Sequence, residues 1–379
     1  MYALASVTRN PAVRLVLALL REPERVAELD LADWDAAVRV ARAARVLAVI
    51  GARLRRHGVI DRVPEPVRIH FDAEENLARF QRQMVLFELH ELSHVLGPLA
   101  VRVVALKGAA YVLQRLPAAE GRLLSDVDIM VPRADIERAE TSLRSAGWVP
   151  DEIHPYDEGY YRKWAHEVPP LKAPGHAFEV DLHHTILPLT SRLRPDPGAL
   201  FEQAQLMAGT GFWVLRPEDQ VLHACLHLFH DSDCSEKLRE LVDLEGLLDA
   251  FNAAPDFWPT LVERAASHGV ERPLWYGMRY VSKILGAAGP TPEIFRMRGA
   301  RPNTVVRSLM DWFVPDALLP HGPDALPALR TRMRRRVLLL RSHWLRMPPW
   351  LLAWHSANKS ARRLSELWKE RRTPSAEGP

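Results

Sequence analysis

The chain has 379 residues, of which 47% are apolar and 26% charged, and this is the balance of an ordinary globular protein. Its formal net charge of +3 is too small to indicate a nucleic-acid partner by itself. Two cysteines, Cys225 and Cys234, are fewer than a disulfide-stapled secreted domain usually carries. The apolar N-terminal stretch contains Arg14 and lacks a cleavage site, and no window reaches the ~18 apolar residues of a spanning helix. We therefore expect a cytoplasmic protein without a signal peptide or transmembrane segment.

Residues 11 to about 98 have the periodicity of helices. Asp30 or Asp33 is placed to cap a helix, in which apolar residues recur at helical spacing: Trp34, Ala37, Val38, Val40, Ala41 and Ala44. The run Arg56-His57-Gly58 is typical of a helix end. A second long helix is predicted from Pro66 to Val95. Its predicted buried stripe consists of Ile69, Ala73, Leu77, Phe80, Met84 and Phe87.

The periodicity changes after residue 98. A β-branched run at 101–106 predicts a short strand, and 109–116 predicts a helix. Alternation predicts a strand at 127–131, followed by an amphipathic helix at 134–146. Residues 178–186, FEVDLHHTI, alternate again and predict another strand.

Residues from 217 onward return to helical periodicity. Helices are predicted at 217–231, 236–250, 256–268 and 271–286, before a Pro- and Gly-rich stretch at 286–302. The fold class is therefore α+β, with a small mixed sheet flanked by N-terminal and C-terminal helical regions. The predicted organisation is an N-terminal helical region (1–98), a core that carries the sheet (99–215), a helical domain packing on that core (216–300), and a C-terminal basic helical segment with a disordered tail (301–379).

Three acidic residues lie on two of the predicted strands. Asp126 and Asp128 are two apart, so their carboxylates project from one face of a strand while Val127 turns inward. Two like charges at that distance repel each other, and a divalent cation with oxygen ligands, such as Mg²⁺, removes the repulsion. Asp181 is a third acid between apolar neighbours on a later strand. An isolated D-x-D is usually a solvated pair, but the order of strand, glycine turn, helix and acidic strands favours a metal site.

The Lys107-Gly108-Ala109 run precedes Asp126 by 18 residues, counted from the glycine. A glycine turn between strand and helix lets backbone N–H groups approach phosphate oxygens, and a helix N-terminus favours negative charge. Lys107 would add a positive charge to the same phosphate.

The segment LKGAAYVLQRLPAAEGRLLSDVDIMV, followed by FEVDLHHTI, resembles the DNA polymerase β-like nucleotidyltransferase superfamily. Within it, the likeness is closer to a bacterial branch of uncharacterised nucleotidyltransferases, and it covers about residues 95–250. Gly108, Asp126, Asp128 and Asp181 match the glycine turn and the three acids of the superfamily. The resemblance implies two Mg²⁺ ions held by the three acids, a nucleoside triphosphate (ATP first) as co-substrate, and in-line attack on its α-phosphate with loss of pyrophosphate. Asp181 is then the base for the acceptor.

A histidine-bearing segment at 216–234 has three interpretations. His223, His227 and His230 lie on one face of a predicted helix. They are half-buried packing residues, or zinc ligands together with Cys234, or residues that border a triphosphate pocket. The resemblance supports the third for His227 and His230. The nucleotide-binding candidates are therefore Lys107, Gly108, Ala109, Ser125, His183, His227, His230 and Asp243.

The basic segment at 330–354 has two interpretations. Seven arginines between 330 and 346 alternate with apolar residues, and Trp350 and Trp354 follow. A helix with apolar core contacts and arginines extended along the surface is favoured over peripheral contact with an anionic membrane. Residues 371–379 are predicted to be disordered.

The resulting hypothesis is a Mg²⁺-dependent nucleotidyltransferase that acts on a small-molecule, peptide or protein acceptor. Double-stranded nucleic acid is disfavoured because no basic stripe accompanies the acids. One alternative is an inactive, antitoxin-like nucleotide-binding module, favoured by Ala109, which stands where many members of the superfamily carry serine. The other is a kinase on the same fold, since metal and triphosphate can also direct attack at the γ-phosphate.

Overall fold

The computed structural model describes residues 7–151, 153–230, 233–287, 300–322, 326–355 and 357–358. Within these residues the fold is α+β, as predicted: one mixed sheet of seven strands has helical regions before and after it in the chain. A continuous cluster of buried apolar side chains extends from Val7 to Leu338 and includes the N-terminal helices, the sheet and the later helices. In the described ranges, no helix combines the length and apolarity needed to cross a membrane.

Four α-helices lie in the described part of the N-terminal region: α1 (Pro11–Arg21), α2 (Leu31–Ala43), α3 (Leu47–Arg56) and α4 (Glu65–Leu96). Asp30 caps α2, because its carboxylate accepts from the backbone N–H of Asp33 at 2.8 Å. The six apolar residues predicted for the buried side of this helix and its end are all buried. Gly58 adopts a φ of +67° just after α3, which confirms the predicted helix end.

The predicted buried stripe of α4 is wrong. Phe80 is 61% exposed, and the same face exposes Ile69, Ala73, Leu77 and Phe87, while Met84 is half-buried. The face that packs on the protein carries Val67, Phe71, Ala78, Val85, Leu89, Leu92 and Leu96. Both sets recur at helical spacing, so periodicity alone cannot decide which of them turns inward. Contacts decide it: α4 packs on α3, and the Phe71 ring meets Trp34 edge-on at 6.0 Å between centroids.

The sheet has the order β3-β4-β5-β2-β1-β7-β6. Its strands are β1 (Val104–Ala105), β2 (Asp126–Met130), β3 (Val149–Pro150), β4 (Leu171–Lys172), β5 (Glu179–His183), β6 (Gln205–Leu206) and β7 (Trp213–Val214). β2 is parallel to β5 on one side and antiparallel to β1 on the other. β1 covers only two residues of the predicted run at 101–106.

Helices also connect and follow the strands: α5 (Lys107–Leu113), α6 (Ile136–Ser145), α7 (Pro155–Trp164), α8 (Pro197–Glu202), α9 (Pro217–Phe229), α10 (Leu238–Phe251), α11 (Phe257–Ser267), α12 (Glu271–Tyr280), α13 (Thr304–Leu318) and α14 (Leu329–Arg346). A π-helical turn, Val281–Leu285, extends α12. The four helices predicted from residue 217 onward are confirmed to within a few residues. α9 packs on α10, α11 and α12, and α10 packs on the 3-10 turn Pro117–Ala119 that leads to β2.

The basic helix α14 contacts the protein along one side. Leu338 is buried, and Arg341 donates to the backbone carbonyl of Phe229 at 2.8 Å. Arg334 pairs with Asp316 at 2.9 Å. These contacts agree with a helix whose arginines extend along the surface. Contact of 330–354 with a membrane stays a prediction, and residues 371–379 lie outside the described residues.

The face of α4 can be tested with two substitutions of the same kind. Phe71→Ala removes a ring that is 1% exposed, and we expect the free energy of unfolding to fall by about 3–5 kcal/mol. Phe80→Ala on the exposed face should change it by less than about 0.5 kcal/mol. Urea unfolding followed by circular dichroism measures both. A larger loss for Phe80→Ala than for Phe71→Ala would restore the face predicted from periodicity.

Candidate active site

Two neighbouring parallel strands bring acidic residues together. β2 and β5 pair so that Asp126 lies opposite Glu179, and Asp128 lies opposite Asp181. Val127 between the first two acids is completely buried, so the acids project from the other face. Ligand atoms of Asp128, Asp181 and His183 lie within 4.8 Å of one another. Asp126, one step along the strand, is half-buried and adds its negative charge at Asp181.

Asp128 is held ionised by two donors. Lys107 Nζ donates to its Oδ1 at 2.8 Å, and His183 Nε2 donates to the same oxygen at 3.0 Å. The side chain is 3% exposed, and burial alone would raise the pKa of Asp128. The charge of Lys107 and the hydrogen bond from His183 outweigh burial and hold this pKa well below 3.8. Asp128 therefore presents a fixed negative charge to the site.

Asp181 is in a different state. Burial, followed by the negative charge of Asp128, raises the pKa of Asp181 from 3.8 to about 7. Its Oδ1 is buried and has no hydrogen-bond partner among the residues the structure describes. A buried carboxylate oxygen without a donor is costly unless a cation neutralises it. The side chain therefore fits a metal ligand better than a packing residue.

The turn between β1 and α5 differs from the predicted glycine turn. Lys107, not Gly108, has the positive φ, +41°, a strained conformation for a residue with a side chain. Leu106 N donates to the backbone carbonyl of Asp128 at 3.0 Å, and this bond fixes the turn beside the acid. Gly108 matters for another reason: a Cβ there would overlap the Arg122 guanidinium and Cδ2 of Leu124, so both would have to shift. Ala109 follows with its methyl group 1% exposed.

Arg122 is a candidate functional residue that the sequence analysis missed. Its side chain is buried, and its Nε donates to Asp243 Oδ2 at 3.0 Å. Its Nη1 is also buried and has no hydrogen-bond partner in the described part of the chain. Arg239 Nη1 lies 3.7 Å from the same Asp243 oxygen, and the positive charge of Arg45 acts on Arg239. Asp243 thus neutralises the guanidinium of Arg122. The further positive charges of Arg239 and Arg45 lie nearby, and Arg122 is close enough to the acidic strands to interact with Asp126.

The predicted histidines separate in the structure. His183 lies in the acidic cluster, two residues from Asp181. His227 Nδ1 is 3.1 Å from Glu240 Oε2, and His230 Nε2 is 2.7 Å from Ser191 Oγ. The candidate metal-ligand groups within the described ranges contain neither His227 nor His230. Ser125 is exposed directly before Asp126.

His166 and Glu167 were also missed. Their backbone runs antiparallel to the end of β5, because Val168 N donates to Leu182 O at 3.0 Å and His184 N to His166 O at 2.9 Å. His183 Nδ1 then lies 3.4 Å from Glu167 Oε2. A dipeptide of this kind carries no local sequence signal, and only the pairing with β5 brings it to the site.

Replacing Asp181 should stabilise the metal-free protein. With its pKa raised from 3.8 to about 7, the native state binds this proton more tightly than the unfolded chain does. The resulting stability is complete below pH 3.8 and is lost as the pH rises through about 7. Asp181→Asn should therefore raise the free energy of unfolding by about 1–2 kcal/mol at pH 8 and leave it unchanged at about pH 4. The full pKa shift sets an upper limit of roughly 4 kcal/mol on this gain. Urea unfolding in the presence of a metal chelator measures this change in stability.

Glu179→Gln is the matched control for this measurement. Glu179 lies two residues earlier on the same strand, and its ion pair with Lys172 is exposed. We expect this substitution to change stability by less than about 0.5 kcal/mol at either pH. An equal gain in both variants, or a loss in Asp181→Asn, would contradict the raised pKa of Asp181.

Gly108→Ala should destabilise the protein through Arg122. The added methyl group forces the guanidinium of Arg122 and Cδ2 of Leu124 to shift, and we expect a loss of about 1–3 kcal/mol. Gly159→Ala on α7 is the control, since its Cβ meets nothing within 4 Å and alanine favours a helix. Thermal melting compares the two variants. A Gly108→Ala protein as stable as Gly159→Ala would mean that Arg122 moves at no cost.

Comparison with known proteins assigns the chain to a family. Residues 30–286, more than half of the chain, match the model of a family described as Uncharacterised nucleotidyltransferase. A search of curated proteins finds no match to the chain. The matched range contains the strands with the three acids, the Lys107 turn, and the Arg122–Asp243 pair. The chain belongs to the uncharacterised nucleotidyltransferase family.

Proposed function

We propose that the protein is a Mg²⁺-dependent nucleotidyltransferase that moves a nucleoside monophosphate from a triphosphate, ATP first, to an acceptor, with release of pyrophosphate. One observation carries the proposal. Asp128 and Asp181 lie opposite each other on parallel strands, and Asp181 Oδ1 is buried without a donor among the described residues. This arrangement resembles the acidic site of the DNA polymerase β-like superfamily.

The donor set fits Mg²⁺. Asp126, Asp128 and Asp181 offer carboxylate oxygens, which are the ligands that Mg²⁺ prefers. Lys107 and His183 both donate to Oδ1 of Asp128, and neither of these bonds uses Oδ2. Bound Mg²⁺, with two ions as in the superfamily, would neutralise the charge of the triphosphate and of the leaving pyrophosphate.

The positive groups of the chain support binding of the triphosphate. Lys107 is fixed at the β1–α5 turn, and the Arg122 guanidinium packs against Gly108 of the same turn. Nη1 of Arg122 has no acceptor among the described residues, so a phosphate oxygen would satisfy it. Asp243 keeps this guanidinium in place from the other side.

In the proposed reaction, an oxygen of the acceptor attacks the α-phosphorus of the triphosphate. The bond between the α-phosphorus and the oxygen bridging to the β-phosphate breaks, and pyrophosphate leaves with that electron pair. The proton of the acceptor hydroxyl passes to the carboxylate of Asp181, the base that the resemblance to the superfamily implies.

A cavity beside the acids offers a place for the acceptor. It measures about 740 Å³ and is lined by His166 and Glu167 on the side of the site. Tyr160 and Tyr161 of α7 and Arg346 of α14 form other parts of its wall. Aromatic and cationic walls of this size suit a small molecule, or a peptide or protein segment.

Labelled nucleotides test the proposal. The full-length protein is incubated with Mg²⁺ and α-labelled or γ-labelled ATP, and with the other triphosphates in turn. We expect transfer or hydrolysis that releases pyrophosphate and leaves the α label on the product. Asp126→Asn and Asp181→Asn should lower the rate at least about 100-fold.

Asp135→Asn serves as the control, because Asp135 pairs with Arg138, three residues along the chain, and belongs to neither metal-ligand group of the described residues. It should keep the wild-type rate. Transfer of the γ label instead of the α label would identify a kinase. No Mg²⁺-dependent binding of any triphosphate would leave an inactive regulatory module.

A further inference from the structure

We propose that His166, Glu167 and His183 bind a transition-metal ion, with Zn²⁺ the best match, at a second centre beside the three acids. The proposal goes beyond the nucleotidyltransferase function, because the proposed Mg²⁺ ligands are Asp126, Asp128 and Asp181. Two imidazoles and one carboxylate are the ligand set of many catalytic zinc sites and suit other first-row transition metals. Mg²⁺ prefers a set made of oxygens only.

The distances in this group match those between ligands of one ion. His183 Nδ1 lies 3.4 Å from Glu167 Oε2, and His166 Nε2 lies 3.6 Å from the same oxygen. Bonds of about 2.0–2.1 Å at a tetrahedral zinc ion place two ligand atoms about 3.3–3.4 Å apart. The ligand atoms of the three residues all lie within 4.8 Å of one another. Small side-chain movements would complete the geometry.

The tautomer of His183 provides an independent argument. Asp128 can only accept, so the 3.0 Å contact places a proton on His183 Nε2. The other nitrogen, Nδ1, is buried, lacks a hydrogen-bond partner among the described residues and points to the Glu167 carboxylate. Nδ1 and the Glu167 oxygen need a cation between them, which is either a metal ion or a second proton on His183. Metal-bound histidines commonly donate their other N–H to a carboxylate in this way.

His166 is also suited to metal binding. Its Nε2 lies 3.6 Å from the Glu167 carboxylate, and its Nδ1 is buried without a hydrogen-bond partner among the described residues. His166 and Glu167 line the 740 Å³ cavity, which gives an ion a route from solvent. Three protein ligands would leave one position of the ion for water or another ligand. The ion would also fix His183 and, through it, Asp128.

Cobalt binding to the full-length protein tests the proposal. Protein freed of metal with a chelator is titrated with Co²⁺, whose visible absorption reports a four- or five-coordinate site, and Zn²⁺ is then added as competitor. We expect one equivalent of Co²⁺ to bind and to be displaced by Zn²⁺. His166→Ala and Glu167→Gln should weaken binding at least about tenfold. Glu167→Gln keeps the side-chain shape, so its effect does not depend on misfolding.

Three control variants should keep the Co²⁺ signal. His184→Ala removes the neighbouring histidine, which belongs to neither metal-ligand group of the described residues. His90→Ala breaks up an exposed histidine pair on α4, which could bind metal adventitiously. The Nε2 atoms of His90 and His94 are 3.1 Å apart. Asp126→Asn removes a proposed Mg²⁺ ligand. It should abolish nucleotidyl transfer but keep Co²⁺ binding, so the two proposals are tested separately.

The pattern across these variants decides the outcome. Loss of the signal in His166→Ala and Glu167→Gln, with retention in the three controls, supports the centre. Absence of binding by the wild type would overturn it and would mean that a proton joins His183 to Glu167. Loss of the signal in His90→Ala alone would also overturn it, because the ion would then lie on α4.

Discussion

The parallel register of β2 and β5 is the constraint on which the site depends. It places Asp128 directly opposite Asp181, in a sheet whose other face is completely buried at Val127 and Val180. Two carboxylates at that position cannot both ionise at low cost without cations nearby. The surrounding residues neutralise only one of the two carboxylates. Lys107 and His183 neutralise Asp128, whereas Asp181 has a raised pKa and an oxygen without a donor in the described ranges.

Charge of opposite sign accumulates on the two sides of the β1–α5 turn. The acidic strands lie on one side, and on the other the three guanidinium groups of Arg122, Arg239 and Arg45 face two carboxylates, Asp243 and Glu240. A metal–triphosphate complex has the complementary pattern, with a cation for the acids and phosphate oxygens for the guanidinium groups. Membership of a nucleotidyltransferase family and this charge distribution are two separate observations that support the proposed ligand.

The parts of the fold and of the candidate site that depend on neighbouring residues in the chain could be predicted from the sequence. The D-x-D spacing fixed the shared face of Asp126 and Asp128, and apolar neighbours marked Asp181 as an unusual strand residue. Capping by Asp30 and the helices after residue 217 followed from residue type and periodicity. Local patterns failed where two solutions fit equally well, as on α4, whose helical spacing supports either of two apolar faces.

Long-range contacts could not be predicted in the same way. Arg122 and Asp243 are 121 positions apart, and nothing near either residue indicates the pair. His166 and Glu167 reach the site through an antiparallel bridge that no local pattern encodes. The role of Gly108 likewise depends on a guanidinium that folds over it. These are the residues that the structure adds to the three acids in the proposed site.

The central claim is that Asp128 and Asp181 share a divalent ion that binds a nucleoside triphosphate. Crystals grown with Mn²⁺ in place of Mg²⁺ and a non-hydrolysable ATP analogue test it directly, through the anomalous scattering of manganese. The account predicts an anomalous peak between the two carboxylates, with the triphosphate extending toward Lys107 and Arg122. Analogue bound elsewhere, or manganese absent from the two carboxylates at saturating concentration, would contradict it.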